Sequence, residues 1–199
     1  PNLQNIPSNN DFRRAFDSPD TYKIVNADYS GQENICLANT SMDPDILNFY
    51  YEGHSDMHSY NAQKIYPALR ELSLPEIKKQ HPEKRQIAKS VSFALAYGGN
   101  GFTISNNLGV SPEEGEDIYN AYFDAFPRLK LFFDEAIKKS MGQGFIEIDP
   151  ITKRKFYFGD FGKLKIYKAD KDWKRYYSLK GKYERACLNY IIQGSAGSI

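Results

Sequence analysis

Two cations and two aromatic residues recur at steps of four in the stretch RQIAKSVSFALAYG. They are Arg85, Lys89, Phe93 and Tyr97. Because an α-helix has about 3.6 residues per turn, residues four apart lie near one face, and the four side chains share a stripe. At about 1.5 Å per residue, Arg85 and Phe93 stand roughly 12 Å apart along the axis, which is about the reach of a triphosphate with its sugar and base. The pattern therefore indicates a helix that could bind a nucleotide.

A structural interpretation of the same stripe needs no ligand. Cations four apart usually form a solvated helix face, and aromatic residues at helical spacing usually face a core. Spacing alone favours this second interpretation, so other parts of the chain must decide between the two. Pro82 and Glu83 predict the start of the helix, and Gly98 and Gly99 predict its end.

The carboxylate of Asp28 is a second candidate for chemistry. It ends the apolar segment YKIVNAD, which predicts a buried strand, and a helix is expected to begin near Gln32. A carboxylate exposed at the end of a strand can hold a hard cation such as Mg²⁺ beside phosphates. The alternative is that Asp28 caps the helix that follows.

Charge is unevenly distributed along the 199 residues. Residues 151–185 hold 12 Lys and Arg against 4 Asp and Glu, whereas the rest of the chain holds 14 against 21, which together give the net charge of +1. A basic segment of this kind fits a polyanionic partner, although a solvated surface hairpin is at least as common a cause.

The remaining composition is that of an ordinary globular protein, with 41% hydrophobic and 26% charged residues. Cys36 and Cys187 are too few and too far apart for a disulfide scaffold or a metal framework, which favours a reducing compartment. The sequence has no run typical of a signal peptide or a membrane span, so we predict a cytoplasmic protein without a membrane partner.

The elements that must position these residues are predicted to be mostly helices. An N-cap at Ser111 marks the start of one of them. Apolar residues that alternate on both sides of a Pro-containing turn predict a hairpin. The predicted elements are helices within 36–66 with a break near 52–55, helices over 112–126 and 127–141, and a hairpin at about 144–159. Residues 160–182 are interpreted as basic and irregular.

The spacing R-x3-K-x3-F-x3-YG resembles the fingers helix of the family A DNA polymerases. Other segments are similar to motifs of the same family, and they are LQNIP, DYSGQE, GHSDMHSYNAQKIY, FPRLKLFFDEAIKKSMGQGFIEI and YERACLNYIIQGSAGSI. The resemblance covers nearly the whole chain. It departs from the family at Asn34 and Ile35, where Leu and Arg are common, and at Gly197 and Ser198.

The resemblance implies an α+β fold, in which a mainly helical fingers subdomain is inserted in a partial antiparallel-sheet palm of a right-hand polymerase. Its implied parts are a partial palm over 1–56, fingers over 57–182 with the motif helix at 83–97, and a helix over 183–199 that returns to the palm. The chain stops before the His-Asp-Glu hairpin that supplies the family's second palm carboxylate. We therefore expect a fragment, inactive alone, and a phage is one of the sources that the resemblance allows.

The resemblance also implies a reaction, template-directed DNA synthesis, in which a primer 3′-hydroxyl attacks the α-phosphate of a deoxynucleoside triphosphate. Asp28, with the backbone carbonyl of Tyr29, is implied to bind metal, and the complete enzyme is expected to use two Mg²⁺ ions. Asp28 and Lys89 are the implied catalytic residues. Arg85, Lys89 and His58 are implied to bind the triphosphate. Phe93 is implied to contact the sugar and base, and Tyr97 the templating position. Gln32 and Glu33 are also implied to bind the nucleotide, and Glu33 crowds the 2′ position of its sugar.

A further set is implied to contact primer-template DNA, the expected partner beside deoxynucleoside triphosphates. The members of this set are Asn2, Gln4, Asn5, Arg13, Arg14, Gly98, Arg185, Asn189 and Gln193. A monomer is expected. Two alternatives stay open: an enzyme similar to single-subunit RNA polymerases, and a non-catalytic nucleic-acid-binding module that uses the basic residues 151–185. Glu33 and Phe93 favour DNA synthesis over the first.

Overall fold

The computed structural model describes residues 18–19, 21–23, 25, 27, 29–148 and 152–197. The chain divides into two compact units, Pro1–Ser30 and Gly31–Ile199. Asp28 and the predicted DNA contacts Asn2, Gln4, Asn5, Arg13 and Arg14 lie outside the described residues.

In the first unit, the described residues of the predicted strand are not in a strand. Tyr22 closes a turn, because its amide donates to the Pro19 carbonyl at 2.8 Å and its carbonyl accepts from the Ser18 hydroxyl at 2.7 Å. Val25 is 87% exposed. A strand needs a partner for its backbone groups, and the described part of the chain holds no strand that pairs with this segment. For the described residues, the prediction of a buried strand is therefore wrong.

The second unit is mostly helical, as predicted, with one small antiparallel sheet among its described residues. Its helices are α1 (Gln32–Ser41), α2 (Pro44–Tyr51), α3 (Met57–Ile65), a 3-10 turn (Pro67–Leu69), α4 (Leu74–Gln80), α5 (Pro82–Ala96), α6 (Gly101–Leu108), α7 (Pro112–Ala125), α8 (Pro127–Gln143), α9 (Lys163–Ala169) and α10 (Trp173–Ala196). The strands are β1 (Phe145–Glu147) and β2 (Lys155–Tyr157).

Helix α5 carries the stripe, and its bounds follow the sequence signals. Pro82 occupies the first turn, Glu83 places an acid near the positive end of the helix, and Gly98 follows the end with φ 73°. The side of α5 that enters the core is made by Ala88, Val91, Ser92 and Leu95.

The stripe itself lies off that buried side. Arg85, Lys89 and Phe93 are half-buried, and Tyr97 is 40% exposed. Tyr97 therefore does not face the core, and among the described residues the whole stripe is at least partly exposed.

Two apolar clusters hold the second unit together. The larger one includes Phe49, Phe126 and Leu129 and joins α2 to α8. A buried carboxylate, Asp43, ties these two helices, because it caps α2 through the Asp45 amide at 3.1 Å and accepts from the Leu129 amide at 3.1 Å. These contacts satisfy amides at two helix starts that have no partner within their own helix.

The smaller cluster lies under the hairpin, where Ile146 and Phe158 pack with Tyr183 and Cys187 of α10. The predicted hairpin is present, with the register Phe145↔Tyr157, Ile146↔Phe156 and Glu147↔Lys155. Phe132 and Ala136 of α8 pack against both clusters.

The interpretation of residues 160–182 as irregular is wrong. This segment contains α9 and the first turns of α10, and α10 continues without a break across the predicted boundary at residue 183. Asp172 caps α10 by accepting from the Arg175 amide at 3.2 Å. The signal in the sequence was apolar and aromatic spacing, since Tyr176, Leu179 and Tyr183 recur at helical intervals and pack on the smaller cluster.

Helix α6 was missed in the sequence. Its two signals are Asn100, whose side chain accepts from the Thr103 amide at 3.0 Å, and Gly109, which follows the helix with φ 68°. Helices α6 and α7 pack closely at Gly115, where an added Cβ would lie 2.5 Å from the Gly101 carbonyl oxygen. Within the described part of the chain, no helix has the length and apolar character needed to cross a membrane.

Candidate nucleotide-binding site

Arg85, the first cation of the stripe, pairs with the carboxylate of Asp56 at the start of α3. Its Nη2 lies 2.8 Å from Oδ1 of Asp56, and its Nε lies 3.1 Å from Oδ2. The two side chains are 24% and 21% exposed. A paired, forked contact of this kind fixes the plane of the guanidinium as well as its position.

Asp56 holds Arg85 while capping α3. Its Oδ1 accepts from the Ser59 amide at 3.2 Å, and its Oδ2 accepts from the Ser59 hydroxyl at 2.8 Å. Burial raises the pKa of Asp56, but the hydrogen bonds from Arg85 and Ser59 outweigh burial, so the net pKa lies below its usual value. The carboxylate is thus charged at neutral pH and its oxygens are occupied. Sequence reasoning did not single out Asp56, although it lies two residues before His58 in GHSDMHSYNAQKIY.

His58 faces the middle of the stripe. Its ring centroid lies 6.0 Å from that of Phe93. Its Nδ1 is buried and has no hydrogen-bond partner among the described residues. Burial lowers the pKa of His58, and the charges of Arg85 and Lys89 lower it further. The imidazole is therefore neutral in this structure.

Lys89 is the least constrained cation of this group. Its Nζ lies 5.9 Å from the centroid of the Phe93 ring, and the described residues place no carboxylate within ion-pair distance of it. Arg85, Lys89 and His58 thus supply two cations and one proton acceptor against the single carboxylate of Asp56. Such an excess of positive charge beside an aromatic ring suits an anionic group attached to a ring system.

At Tyr97, the last residue of the stripe, one side-chain amide links the end of α5 to α10 and α1. The Gln193 side chain of α10 donates to the Tyr97 hydroxyl, and it also donates to Oε1 of Glu33 on α1 at 3.3 Å. Burial and the nearby Glu33 carboxylate raise the pKa of Tyr97, so its hydroxyl stays protonated. Gln32 makes a separate contact, donating from its amide to the Ala196 carbonyl at 2.8 Å.

Gly98 lies close to the backbone of Arg185. A Cβ added to Gly98 would lie 2.8 Å from Cα of Arg185, so α10 can approach the end of α5 because residue 98 lacks a side chain. Further along α10, Asn189 and Gln193 line a surface hollow together with Arg154. The structure therefore brings Gly98, Arg185 and Gln193 to one end of the stripe.

The predicted metal site consists of the Asp28 side chain and the Tyr29 backbone carbonyl. Asp28 is not among the described residues, and Tyr29 belongs to the first unit. The described residues contain no group of three His, Cys, Asp or Glu side chains placed to hold a metal ion.

The amino-acid sequence matches one protein family over its whole length. A sequence profile for DNA polymerase family A matches residues 1–199. The chain belongs to DNA polymerase family A. This confirms the resemblance, and it favours the family A DNA polymerases over the single-subunit RNA polymerases among the alternatives. Polymerases of family A are generally metal-dependent.

Individual relatives of this family A chain are bacterial enzymes. DNA polymerase I of Borreliella burgdorferi is 32% identical over 203 residues, which cover 100% of this chain and 20% of that protein. DNA polymerase I of Caldicellulosiruptor bescii is 30% identical over 203 residues, which cover 100% of this chain and 21% of that protein. The chain thus spans about a fifth of the length of these relatives. A phage source is not supported by them and stays a prediction.

The family A fold is also found in a solved structure. The POL domain of Pol1 from M. smegmatis, in complex with DNA primer-template and dNTP, matches with a TM-score of 0.75 and 27% identity, over 98% of this chain and 32% of that chain. The predicted fold class is confirmed by this match together with the mainly helical architecture. The roles of the individual site residues and the boundaries of palm and fingers stay predictions.

Proposed function

We propose that this chain forms the nucleotide-binding part of a DNA-directed DNA polymerase that extends a primer on a template. The observation that carries the proposal is the convergence of Arg85, Lys89 and His58 beside Phe93, where Asp56 is the one carboxylate that the described residues place against them. Membership of family A and the relative that holds primer-template and dNTP support the same substrates here.

In this proposal, Lys89 and Arg85 bind the triphosphate of the incoming nucleotide. Phosphoryl transfer depends mainly on positioning and on neutralising charge, so two cations on one helix face are suited to the task. Arg85 reaches the phosphates by exchanging part of its contact with Asp56, which keeps the guanidinium oriented until a nucleotide arrives. His58 accepts a proton as the phosphates approach and then donates a hydrogen bond to them.

Phe93 provides the ring against which sugar and base pack, and Tyr97 marks the templating position. Glu33 limits the space beside the 2′ position of the sugar. Gln193 holds Glu33 and Tyr97 in a fixed relation, since its amide donates to both. This arrangement links the choice of sugar to the side chain that borders the template base.

The metal is proposed to be Mg²⁺, held by the Asp28 carboxylate and the Tyr29 backbone carbonyl. Both are hard oxygen donors, which is the ligand chemistry that Mg²⁺ prefers beside phosphates. When bound, the metal would neutralise phosphate charge and activate the primer hydroxyl. This chain's own contribution near the phosphates is the positive charge of Lys89 and Arg85.

The remaining predicted contacts are proposed to bind primer-template DNA. Arg185, Asn189 and Gln193 present one edge of α10, beside Gly98. Asn2, Gln4, Asn5, Arg13 and Arg14 are proposed for the same duplex on sequence grounds alone. A cytoplasmic monomer is part of the proposal.

The deciding experiment compares two lysines of α5 in the full-length protein. Lys89→Ala should reduce deoxynucleoside triphosphate binding by about tenfold or more, because an ionic hydrogen bond to phosphate is lost. Lys84→Ala is the matched control, since Lys84 lies over the Tyr66 ring at 5.3 Å on the same helix. The control should leave nucleotide binding unchanged.

Nucleotide binding separates this proposal from a non-catalytic nucleic-acid-binding module, because both predict that DNA binding survives Lys89→Ala. We expect Lys89→Ala to retain its affinity for primer-template while losing nucleotide binding and primer extension. Equal nucleotide binding by Lys89→Ala and Lys84→Ala would refute the proposed site. Failure of the wild-type protein to bind any deoxynucleoside triphosphate would refute the polymerase function itself.

A further inference from the structure

The first turns of α10 carry exposed aromatic residues that take no part in the nucleotide site. Trp173 and Tyr177 follow one another by about one helical turn, and they are 47% and 62% exposed. Their ring centroids lie 6.2 Å apart, and Tyr176 joins them at 6.0 and 5.2 Å. Within the described part of the chain, no ring from another helix or strand contacts Trp173 or Tyr177. We call Trp173, Tyr176 and Tyr177 the aromatic patch.

The corner between α9 and α10 holds the aromatic patch in a fixed position. Lys171 has φ 56°, and the Asp172 amide donates to the Tyr167 carbonyl at 2.9 Å, which closes the turn between the two helices. Tyr176 is half-buried and packs on the smaller apolar cluster under the hairpin. A surface that is already ordered loses little conformational entropy on binding, so the patch is suited to contact a partner.

The charge around the aromatic patch is mainly positive. Residues 163–182 hold 8 Lys and Arg against 2 Asp. Three of these cations have no carboxylate within ion-pair distance among the described residues, and they are Lys168, Lys171 and Lys174. The one carboxylate of the same segment that lacks an ion pair with a described residue is Asp170. Charge complementarity therefore favours an acidic partner.

The aromatic patch faces away from the proposed DNA contacts of α10. A helix rotates by about 100° per residue, so Trp173 and Tyr177 lie roughly 140° around the axis from the edge that carries Arg185, Asn189 and Gln193. That edge is the one proposed to bind primer-template DNA. Since a duplex bound there lies on another side of α10, the acidic partner of the patch is better explained as a protein than as nucleic acid.

The size of the aromatic patch fits a short peptide segment. Further along the same face, Lys180 and Glu184 form an ion pair, which ends the patch. From Trp173 to Lys180 the helix rises by about 10 Å, which is the length of about three extended residues. Stable interfaces between folded proteins bury roughly 1,000 Å² or more, whereas Trp and Tyr side chains can supply much of the binding energy of a small contact.

We propose that the aromatic patch docks a short acidic peptide segment of a partner protein. An aromatic or aliphatic side chain of that segment packs on Trp173 and Tyr177, and its flanking carboxylates face Lys171 and Lys174. Such a contact tethers a second protein to this chain without occupying the stripe of α5 or the DNA-contacting edge of α10. It goes beyond the proposed function, and it does not depend on the roles of the nucleotide-binding residues.

The test measures peptide binding by the full-length protein. The probe is a fluorescein-labelled peptide of Glu and Gly residues with a central Phe-Leu pair, and fluorescence anisotropy gives its dissociation constant, expected on the order of 10–100 μM. The double variant Trp173→Ala and Tyr177→Ala should weaken binding by about tenfold or more. Tyr51→Ala is the matched control, because Tyr51 is an exposed aromatic residue of α2. This control should bind the peptide as the wild type does.

A charge variant gives a second readout that leaves the rings in place. Lys171→Gln with Lys174→Gln should weaken peptide binding by roughly threefold and reduce its dependence on salt. The matched control is Lys78→Gln with Lys79→Gln on α4, which removes the same charge from exposed lysines elsewhere. Thermal unfolding verifies that every variant is folded.

Four results would overturn the proposal. The first is no binding of the peptide by the wild-type protein at about 1 mM, well above the expected dissociation constant. The second is equal binding of a peptide in which Ala replaces the Phe-Leu pair, and the third is equal affinity in the Trp173/Tyr177 variant and Tyr51→Ala. The fourth concerns a single-stranded oligonucleotide measured in parallel: if the Trp173/Tyr177 variant loses as much affinity for it as for the peptide, the patch binds nucleic acid instead.

Discussion

The Arg85 guanidinium donates hydrogen bonds to both carboxylate oxygens of Asp56, and the same carboxylate caps the start of α3. One side chain thus fixes the beginning of a helix and the first cation of the nucleotide stripe. Arg85 also contacts a group that competes with the phosphates it is proposed to bind. The local geometry around the stripe therefore depends on α3 as much as on α5.

Replacing Asp56 tests this double role. We expect Asp56→Ala to lower the free energy of unfolding by about 1–3 kcal/mol, because it removes a helix cap and leaves a half-buried guanidinium without its acceptor. Urea unfolding measures the change. In a double-mutant cycle with Arg85→Ala, the coupling energy should exceed that of the more exposed pair Asp45 and Lys64, whose charged atoms lie 2.9 Å apart. A coupling no larger than that of Asp45 and Lys64 would contradict the prediction.

The pKa of His58 predicts a pH dependence of stability. Burial, then the charges of Arg85 and Lys89, lower the pKa in the folded chain, while Asp56 acts in the opposite direction. In the unfolded chain the pKa is about 6.5, so between the two values the unfolded chain binds more protons. Stability should therefore fall as pH drops below about 6.5 and level off once the folded-state pKa has been passed.

A histidine variant isolates this contribution. His58→Gln should flatten the dependence of the unfolding free energy on pH in that window, because it removes the group whose pKa is lowered on folding. Urea titrations at a series of pH values give the curves. Parallel curves for wild type and His58→Gln would rule out His58 as their source.

Nucleotide binding should change the protonation of the same histidine. Triphosphate charge beside His58 favours the imidazolium form, so binding near neutral pH is expected to take up a proton. Calorimetry of nucleotide binding in buffers of different ionisation enthalpy counts that proton. Uptake should be smaller in His58→Gln, and an identical uptake in both proteins would disprove the assignment.

The Glu33, Gln193 and Tyr97 network predicts an effect on the choice of sugar. Glu33→Ala should raise the ratio of ribonucleotide to deoxyribonucleotide kcat/KM by about tenfold or more, because it opens space at the 2′ position. Gln193→Ala should raise it less, since the carboxylate remains and loses only its amide donor. Gln63→Ala is the control, because its amide donates to the Leu72 carbonyl and takes no part in the network. Single-nucleotide incorporation measures all four proteins, and equal ratios in Glu33→Ala and wild type would contradict the network's role.

A pair of glycines predicts opposite effects on stability. Gly98→Ala should destabilise the fold by about 1–3 kcal/mol, because φ is 73° and the new Cβ would meet Cα of Arg185 at 2.8 Å. Gly142→Ala should stabilise it by up to about 1 kcal/mol, because Gly142 lies within α8 and nothing lies within 4 Å of its added Cβ. Thermal unfolding of the two variants gives the signs directly, and a destabilisation of equal size in both would show that contact with Arg185 is irrelevant.

Local signals in the sequence account for much of the second unit. Pro82 and Gly98 bound α5, Ser111 caps α7, and alternating apolar residues place the hairpin. These features depend on neighbours only a few residues away, so a single sequence is sufficient to predict them. The cap of α6 at Asn100 is a signal of the same kind that was overlooked.

Errors arose where a segment depends on distant partners. The described part of 22–28 has strand composition but no partner strand among the described residues, and a strand without a partner leaves its backbone unpaired. In residues 160–182, the high charge masks the helical spacing of the aromatic residues, and the packing of Tyr176 and Tyr183 under the hairpin stabilises the helix that carries them.

By itself, the sequence determined the family, the helical stripe and the types of side chain available for phosphate, sugar and metal. Only the tertiary structure decided which of them meet. Asp56 reaches Arg85 across 29 residues, and Gln193 reaches Tyr97 across 96 and Glu33 across 160. The spacing of residues along one helix is fixed by backbone geometry, whereas contacts between helices depend on how their apolar faces pack, and that packing is a property of the whole chain.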